Sequence, residues 1–117
     1  MMDVRTIYKI CPAAEWRDAE RASVFSGSAV DRRDGYIHFS TSDQVIETAQ
    51  KYFAGQRDLV LVSVDAAALS DRLKWEPSRG GALFPHLYGE LATAAVLRVD
   101  PLPLDAQGRH VFPQLLR

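Results

Sequence analysis

A nearly continuous run of large apolar residues, from Leu59 to Val64, constrains the fold of this chain more than any other segment. A strand that is apolar on both of its alternating faces must be covered on both sides, so the run predicts a buried strand. The chain has 117 residues, which is the usual length of one domain. We therefore expect residues 1–117 to form a single domain with one hydrophobic core.

Shorter periodic segments occur near the N-terminus. Alternation over residues 6–10 predicts a first strand, and Pro12 then suits the first turn of a helix with Trp16 and Ala19 on its apolar side. Residues 23–35 are rich in Ser, Gly and Asp and have no clear period, so they predict a loop.

The segment that leads into the apolar run predicts a strand, a helix and a second strand in succession. Alternation over residues 36–40 indicates the first strand, and Thr41 followed by Gln44 is typical of a helix start. Gly55 suits the left-handed residue that ends such a helix. This order predicts a crossover unit over residues 36–64.

Three more strands are predicted in the second half of the chain, over residues 73–76, 84–91 and 94–99. A turn is predicted at residues 105–108. Together with the earlier segments, these strands give an α+β fold of about six strands and two or three helices.

The charge balance and the shortness of the apolar runs argue against several classes of function. Lys and Arg number 14 against 15 Asp and Glu, whereas a non-specific binder of DNA or RNA is usually clearly basic. No apolar run approaches the roughly 20 residues that span a bilayer, and no apolar signal core follows the first residues. The single cysteine, Cys11, allows no internal disulfide, so we expect a reduced, cytoplasmic protein.

Two of the predicted strands carry chemically capable side chains on one face. Because alternate residues of a strand share a face, the two rows are Tyr36, His38 and Ser40 on one strand, and Phe84, His86, Tyr88 and Glu90 on the other. Histidine titrates near neutrality and suits acid–base work or phosphate contact. If the rows meet, they form a functional cleft; otherwise they are the solvated face of an antiparallel sheet.

Other reactive residues give weaker signals. Glu76 is a candidate acid or a surface carboxylate, and Trp75 beside it is expected in the core or in a cleft wall. The three histidines and Cys11 are too far apart to offer a close-spaced pair of metal ligands, so no metal site is predicted. Cys11 stands at a helix start, which could activate it as a nucleophile, but a small buried thiol is the favoured interpretation.

Four segments of the sequence together resemble the DUF952 family of small bacterial domains, which have no assigned activity. These segments are Gly35–Thr41, the apolar run at 59–62, Trp75-Glu76, and Phe84–Gly89. The resemblance covers nearly the whole chain. The family is similar in fold to ADP-ribosyltransferases and RNA 2′-phosphotransferases, so the resemblance implies an ADP-ribosyltransferase-like fold with two small sheets and a cleft between them that binds NAD or a related nucleotide.

The same resemblance assigns places to individual residues. Lys9 stands where those enzymes have a first-motif histidine, and His38 stands where a residue lines the nicotinamide or phosphate site. The strand at 84–91 matches the one that supplies a catalytic glutamate, with His86, Tyr88 or Glu90 at that position. The chain departs from those enzymes in two places: it lacks the first histidine, which binds the NAD ribose, and its glutamate position, which activates the acceptor, is open among three residues. The resemblance therefore implies the fold, and function has to be argued from the site.

These observations favour a nucleotide-directed enzyme with NAD or a phosphorylated nucleotide as its ligand. The expected catalytic residues are His38, His86 and Glu90, and the expected ligand contacts are Lys9, Tyr36, Ser40, Tyr88 and Glu76. The alternatives are a binding module that has lost the transferase chemistry, and an interaction domain whose polar rows are ordinary surface. No membrane or duplex DNA partner is expected, and the sequence indicates no particular protein partner.

Overall fold

The computed structural model describes residues 5–114. In this range eight strands follow in chain order: β1 (Thr6–Pro12), β2 (Val24–Phe25), β3 (Ile37–His38), β4 (Leu59–Asp65), β5 (Leu73–Pro77), β6 (Leu83–Leu87), β7 (Leu91–Ala92) and β8 (Val96–Pro101). The described α-helices are α1 (Ala13–Ala22), α2 (Ala29–Asp34) and α3 (Val45–Tyr52). Short 3₁₀ segments cover Ala66–Arg72, Arg79–Gly81 and Thr93–Ala95. The fold is therefore α+β.

The strands of residues 5–114 form three antiparallel sheets rather than the two expected. Their orders are β1-β4-β8, β2-β7 and β3-β6-β5. The apolar run is the central strand β4 of the first sheet, as its pattern predicted. The predicted crossover unit is wrong, because β3 and β4 belong to different sheets and β3 pairs antiparallel with β6.

The first sheet separates two hydrophobic clusters. On one face, Val62 and Val64 of β4 pack with Trp16 of α1 and with side chains from the other two sheets. On the opposite face, Leu59 and Leu61 pack beneath α3. Burial on both faces explains why β4 has no polar alternation.

The helices α1 and α3 follow their predictions closely. Trp16 and Ala19 are buried on α1, which starts directly after Pro12. The helix α3 starts at Val45 rather than at Thr41, and the Gln44 side chain accepts a hydrogen bond from the Thr41 amide at 3.0 Å. None of the helices in the described part of the chain has the length and apolarity of a membrane span.

Two regions differ from the prediction. Residues 23–35, predicted as a loop, contain β2 and the six-residue helix α2, which is too short to show a helical period. The predicted strand over residues 84–91 ends at Leu87, and the chain resumes as β7 only at Leu91. Gly89 lies between them with φ +140°, a conformation that strands do not use. The turn at residues 105–108 is confirmed, since the Gly108 amide bonds to the Asp105 carbonyl at 3.0 Å.

Candidate functional site

His38 and His86 face each other across the pairing of β3 with β6. They are direct partners in the register, and their ring centroids are 5.5 Å apart. The ring of Tyr36 stacks on His86 at 4.1 Å and lies 4.7 Å from His38, while Tyr88 lies 5.3 Å from Tyr36. The two polar rows therefore meet. We name Tyr36, His38, Glu76, His86 and Tyr88 the histidine cluster.

The sheet β3-β6-β5 positions the members of this cluster. His86 lies on the central strand, which explains why only 3% of its surface is exposed. Glu76 lies two residues beyond Lys74, the direct partner of His86 on β5, and such diagonal neighbours are within reach of long side chains. Tyr36 follows Gly35, which ends α2 in the left-handed conformation.

Glu76 joins His86 and Tyr88 through hydrogen bonds. Its Oε1 lies 2.7 Å from His86 Nδ1, and the Tyr88 hydroxyl donates to the same carboxylate at 2.8 Å. The hydrogen bonds from His86 and then from Tyr88 lower the pKa of Glu76, and the bond to Glu76 raises the pKa of Tyr88. A carboxylate at Nδ1 holds the proton there, so neutral His86 presents a lone pair at Nε2. Within residues 5–114, Nε2 has no hydrogen-bond partner.

His38 is held between two carboxylates. Its Nδ1 lies 2.6 Å from Asp31 Oδ1, and its Nε2 lies 3.0 Å from Asp34 Oδ2. Both ring nitrogens of His38 therefore face carboxylate oxygens. His38 and His86 thus have different surroundings: both ring nitrogens of His38 are engaged, whereas Nε2 of the buried His86 has no hydrogen-bond partner among the described residues.

Asp31, like Asp34, is a site residue that the sequence did not reveal. It is 2% exposed, and its carboxylate accepts hydrogen bonds from the Lys9 ammonium group, the Ser28 amide, and both the ring and the amide of His38. Burial alone would raise the pKa of Asp31, but the hydrogen bond from His38 and the charge and hydrogen bond of Lys9 lower it to about 2. The Ser28-to-Asp31 spacing at the start of α2 was the available signal.

The other three predicted site residues lie outside the histidine cluster. Lys9 is 5% exposed and reaches the cluster through Asp31, with its Nζ 2.8 Å from Oδ2. The Ser40 hydroxyl lies 3.1 Å from the Thr48 hydroxyl of α3. Glu90 accepts a hydrogen bond from Ser26 at 2.9 Å. The prediction that Glu90 shares a strand face with His86 is wrong, because the strand ends before Gly89.

Two cavities lie away from the histidine cluster. One of about 490 Å³ lies between α3 and the turn near His110, and one of about 590 Å³ borders Trp75, which is 39% exposed. The cluster itself is a surface site with a partly exposed rim, since Tyr88 is 41% exposed.

Among residues 5–114, no group of three or more His, Cys, Asp and Glu side chains is arranged to hold a metal ion. Cys11 is buried, and burial raises the pKa of its thiol to about 12.

Comparisons with known proteins place this chain among proteins of the same fold. Protein CC0527 from Caulobacter crescentus, known from a crystal structure, is 50% identical in sequence to this chain. The alignment covers 95% of this chain and 97% of the CC0527 chain, with a TM-score of 0.90. The alignment with the solution NMR structure of CC0527 has 53% sequence identity and covers 94% of this chain and 92% of the CC0527 chain, with a TM-score of 0.81. No curated protein matches the chain.

These comparisons do not show a similarity to ADP-ribosyltransferases or RNA 2′-phosphotransferases, and that part of the resemblance stays a prediction. The family model that matches this sequence covers residues 10–99 and carries the description "Protein of unknown function (DUF952)". The match begins within β1, ends within β8 and includes every member of the histidine cluster. The chain therefore belongs to the DUF952 family.

Proposed function

We propose that this chain is an enzyme that performs general acid–base chemistry on a nucleotide, with NAD or a phosphorylated nucleotide as the substrate class. The observation that carries the proposal is the Glu76–His86 pair, in which one ring nitrogen is held by the carboxylate at 2.7 Å and the other has no partner among the described residues. A histidine oriented in this way can accept a proton from a bound hydroxyl group.

The surroundings of His86 suit the nucleoside part of such a ligand. The exposed Tyr88 ring offers a surface on which a base can stack. A hydroxyl group of the ligand placed at Nε2 of His86 would transfer its proton to that nitrogen, and Glu76 would stabilise the imidazolium that forms. His38, held by Asp31 and Asp34, would form a fixed wall beside the reacting group.

The geometry gives less support to phosphate binding at the same place. Both ring nitrogens of His38 face carboxylates, the Lys9 ammonium group is buried on Asp31, and the Ser40 hydroxyl faces Thr48. None of these groups is turned toward a ligand at Tyr88. We therefore infer that the nucleoside, rather than the phosphate, provides recognition.

A non-catalytic binding module is the second candidate. Two observations favour this candidate. The Lys9 ammonium group is paired with Asp31, and Glu90 lies beyond the end of β6 and accepts a hydrogen bond from Ser26. Lys9 and Glu90 were both expected to serve the transferase chemistry. Such a module would keep the stacking surface at Tyr88 and bind the same ligand without converting it.

The test is an amide-shift NMR titration of the labelled chain with NAD, followed by chromatographic analysis of the same samples for nicotinamide release. Saturable shifts centred on His86 and Tyr88 with turnover support the enzyme, and the same shifts without turnover support the module. The variant H86Q is expected to abolish turnover, whereas H110Q, which removes a histidine bound to the Gln56 carbonyl, should behave as the parent chain. Absence of shifts both at millimolar NAD and at millimolar concentrations of a phosphorylated nucleotide would contradict both candidates.

A further inference from the structure

The strand β8 forms the outer edge of the β1-β4-β8 sheet. From Arg98 to Pro101 it keeps a regular antiparallel register on β4, and the register shifts at Leu97. The Leu102 amide donates to the Leu59 carbonyl at 3.1 Å and continues the register of β8 on β4. By the antiparallel alternation, the backbone groups of Arg98 and Asp100 bond to β4, and those of Val99 point outward. In the part of the chain that the structure describes, no backbone hydrogen bond connects this outer edge to another segment.

Two apolar side chains on this edge are exposed, one of them at the register shift. Leu97 is 59% exposed and Val99 is 36% exposed. Arg98 and Asp100 share the face opposite to Val99, and there the guanidinium group of Arg98 binds the carboxylate of Asp100 in a bidentate manner at 2.7 and 2.8 Å. A free strand edge with exposed apolar residues is a template for pairing with another strand.

We propose that β8 pairs with β8 of a second copy of this chain, antiparallel and centred on Val99, so that two three-stranded sheets become one six-stranded sheet. Val99 then exchanges backbone hydrogen bonds with the partner's Val99. The pairing is short, because the register shift of β8 lies at Leu97 on one side and Pro101 lies on the other. Because proline has no amide hydrogen, the pairing ends at that residue.

The charges on β8 select this register. With Val99 at the centre, Arg98 faces the partner's Asp100 and Asp100 faces the partner's Arg98, which gives two pairs of opposite charge on one face. A register centred on Arg98 or on Asp100 would instead place like charges opposite each other. The strand is thus complementary to itself in one antiparallel register.

The other edge of the sheet is already occupied, which makes the assembly a closed dimer. Tyr8 of β1 exchanges backbone hydrogen bonds with Ser40 at 2.8 and 2.9 Å, so a further strand cannot pair there in the same way. Both copies use the same surface, and a contact of this kind is complete with two subunits.

The test is the molar mass of the chain in solution, measured by light scattering after gel filtration over a wide range of concentrations. The unaltered chain is expected to reach twice the mass of one chain as concentration rises. Reversal of one charge in R98D or in D100R should lower the mass twofold, to that of a single chain. The control R21D reverses a 72% exposed arginine of α1 that pairs with Asp18, and it should leave the dimer intact.

Two further samples separate a lost interface from a damaged fold. An equimolar mixture of R98D and D100R places opposite charges at both positions of a heterodimer and should restore the doubled mass. The double variant R98D/D100R should restore it as well. A single-chain mass for the unaltered protein at all concentrations, a dimer that persists in the single variants, or a mixture that stays monomeric would each overturn the proposal.

Discussion

The Lys9 ammonium group lies 2.8 Å from a carboxylate oxygen of Asp31, and the two side chains are only 5% and 1% exposed. A buried ion pair is costly to desolvate unless further hydrogen bonds satisfy it, and Asp31 receives these from Ser28 and His38. The same carboxylate therefore neutralises a charge in the core and fixes a ring of the histidine cluster.

Asp31 makes the stability of the fold sensitive to acid. Its pKa lies below the ordinary value of 3.8, at about 2, so the folded state favours the carboxylate. The stabilisation is fully present above about pH 4 and is lost as the pH falls through about 2. At about 1.4 kcal/mol per pKa unit, the loss is roughly 2 kcal/mol, measured as the free energy of unfolding in urea at successive pH values.

The variant D31N isolates this contribution from that of other carboxylates. It leaves Lys9 buried without its counter-charge, which should cost about 3–5 kcal/mol near neutral pH. The difference in stability between the two proteins should shrink as the pH falls from about 4 to 2. A difference that stays constant over this range would contradict the assignment.

Gly27 is required by its contact with Asp31. Its φ is +107°, and a β-carbon there would lie 2.8 Å from Asp31 Cβ. Gly108 provides a matched control, because its φ is +78° and a β-carbon added there would have no neighbour within 4 Å. We expect G108A to lose about 1–2 kcal/mol through backbone strain alone and G27A to lose about 1–3 kcal/mol more through crowding. Equal losses in thermal or urea unfolding would show that the contact is unimportant.

Glu76 controls the titration of Tyr88. The hydrogen bond to the Glu76 carboxylate raises the pKa of Tyr88 above its ordinary value of 10.0, since the bond favours the protonated phenol. In E76Q the negative charge is gone, and the pKa of Tyr88 should fall toward 10.0. The measurement is an alkaline NMR titration of ¹³C-labelled tyrosine, with Y88F used to assign the signal. An unchanged or higher pKa in E76Q would refute the coupling.

Cys11 should be inert in the folded chain. Burial raises the pKa of its thiol from 9.0 to about 12, and the residue has no exposed surface. At mildly alkaline pH the thiolate fraction falls roughly a thousandfold, and access is blocked in addition. A colorimetric thiol reagent should therefore react with one thiol per chain in denaturant and far more slowly in native buffer. Native reaction at the denatured rate would contradict the burial of Cys11.

The elements that bury a regular face are the ones that the sequence pattern predicted best. The strands β1 and β4 and the helix α1 follow from alternation, from the apolar run and from Trp16 with Ala19. The short elements β2, β7 and α2 were not predicted, because two to six residues are too few to display a period. The break at Gly89 was visible as a glycine, but its positive φ depends on contacts that the sequence does not display.

The candidate site was predicted in part for the same reason. The sequence predicted the contacts among the rings of Tyr36, His38, His86 and Tyr88, because the alternation of side chains along a strand depends only on local geometry. Asp31 was missed because its importance comes from a lysine 22 residues away, and such pairings follow from tertiary packing. Whether these residues bind a nucleotide stays a prediction.

The direct pairing of β3 with β6 also sets an order in which the site can assemble. Asp31 and His38 are seven residues apart, and Glu76 and His86 are ten apart, so each half closes a short loop at small entropic cost. Joining the two halves through the pairing of His38 with His86 closes a much longer loop. The entropic cost of that loop must be met before the pairing can stabilise the fold. We therefore expect the two histidines to meet late in folding, when most of the chain is already in place.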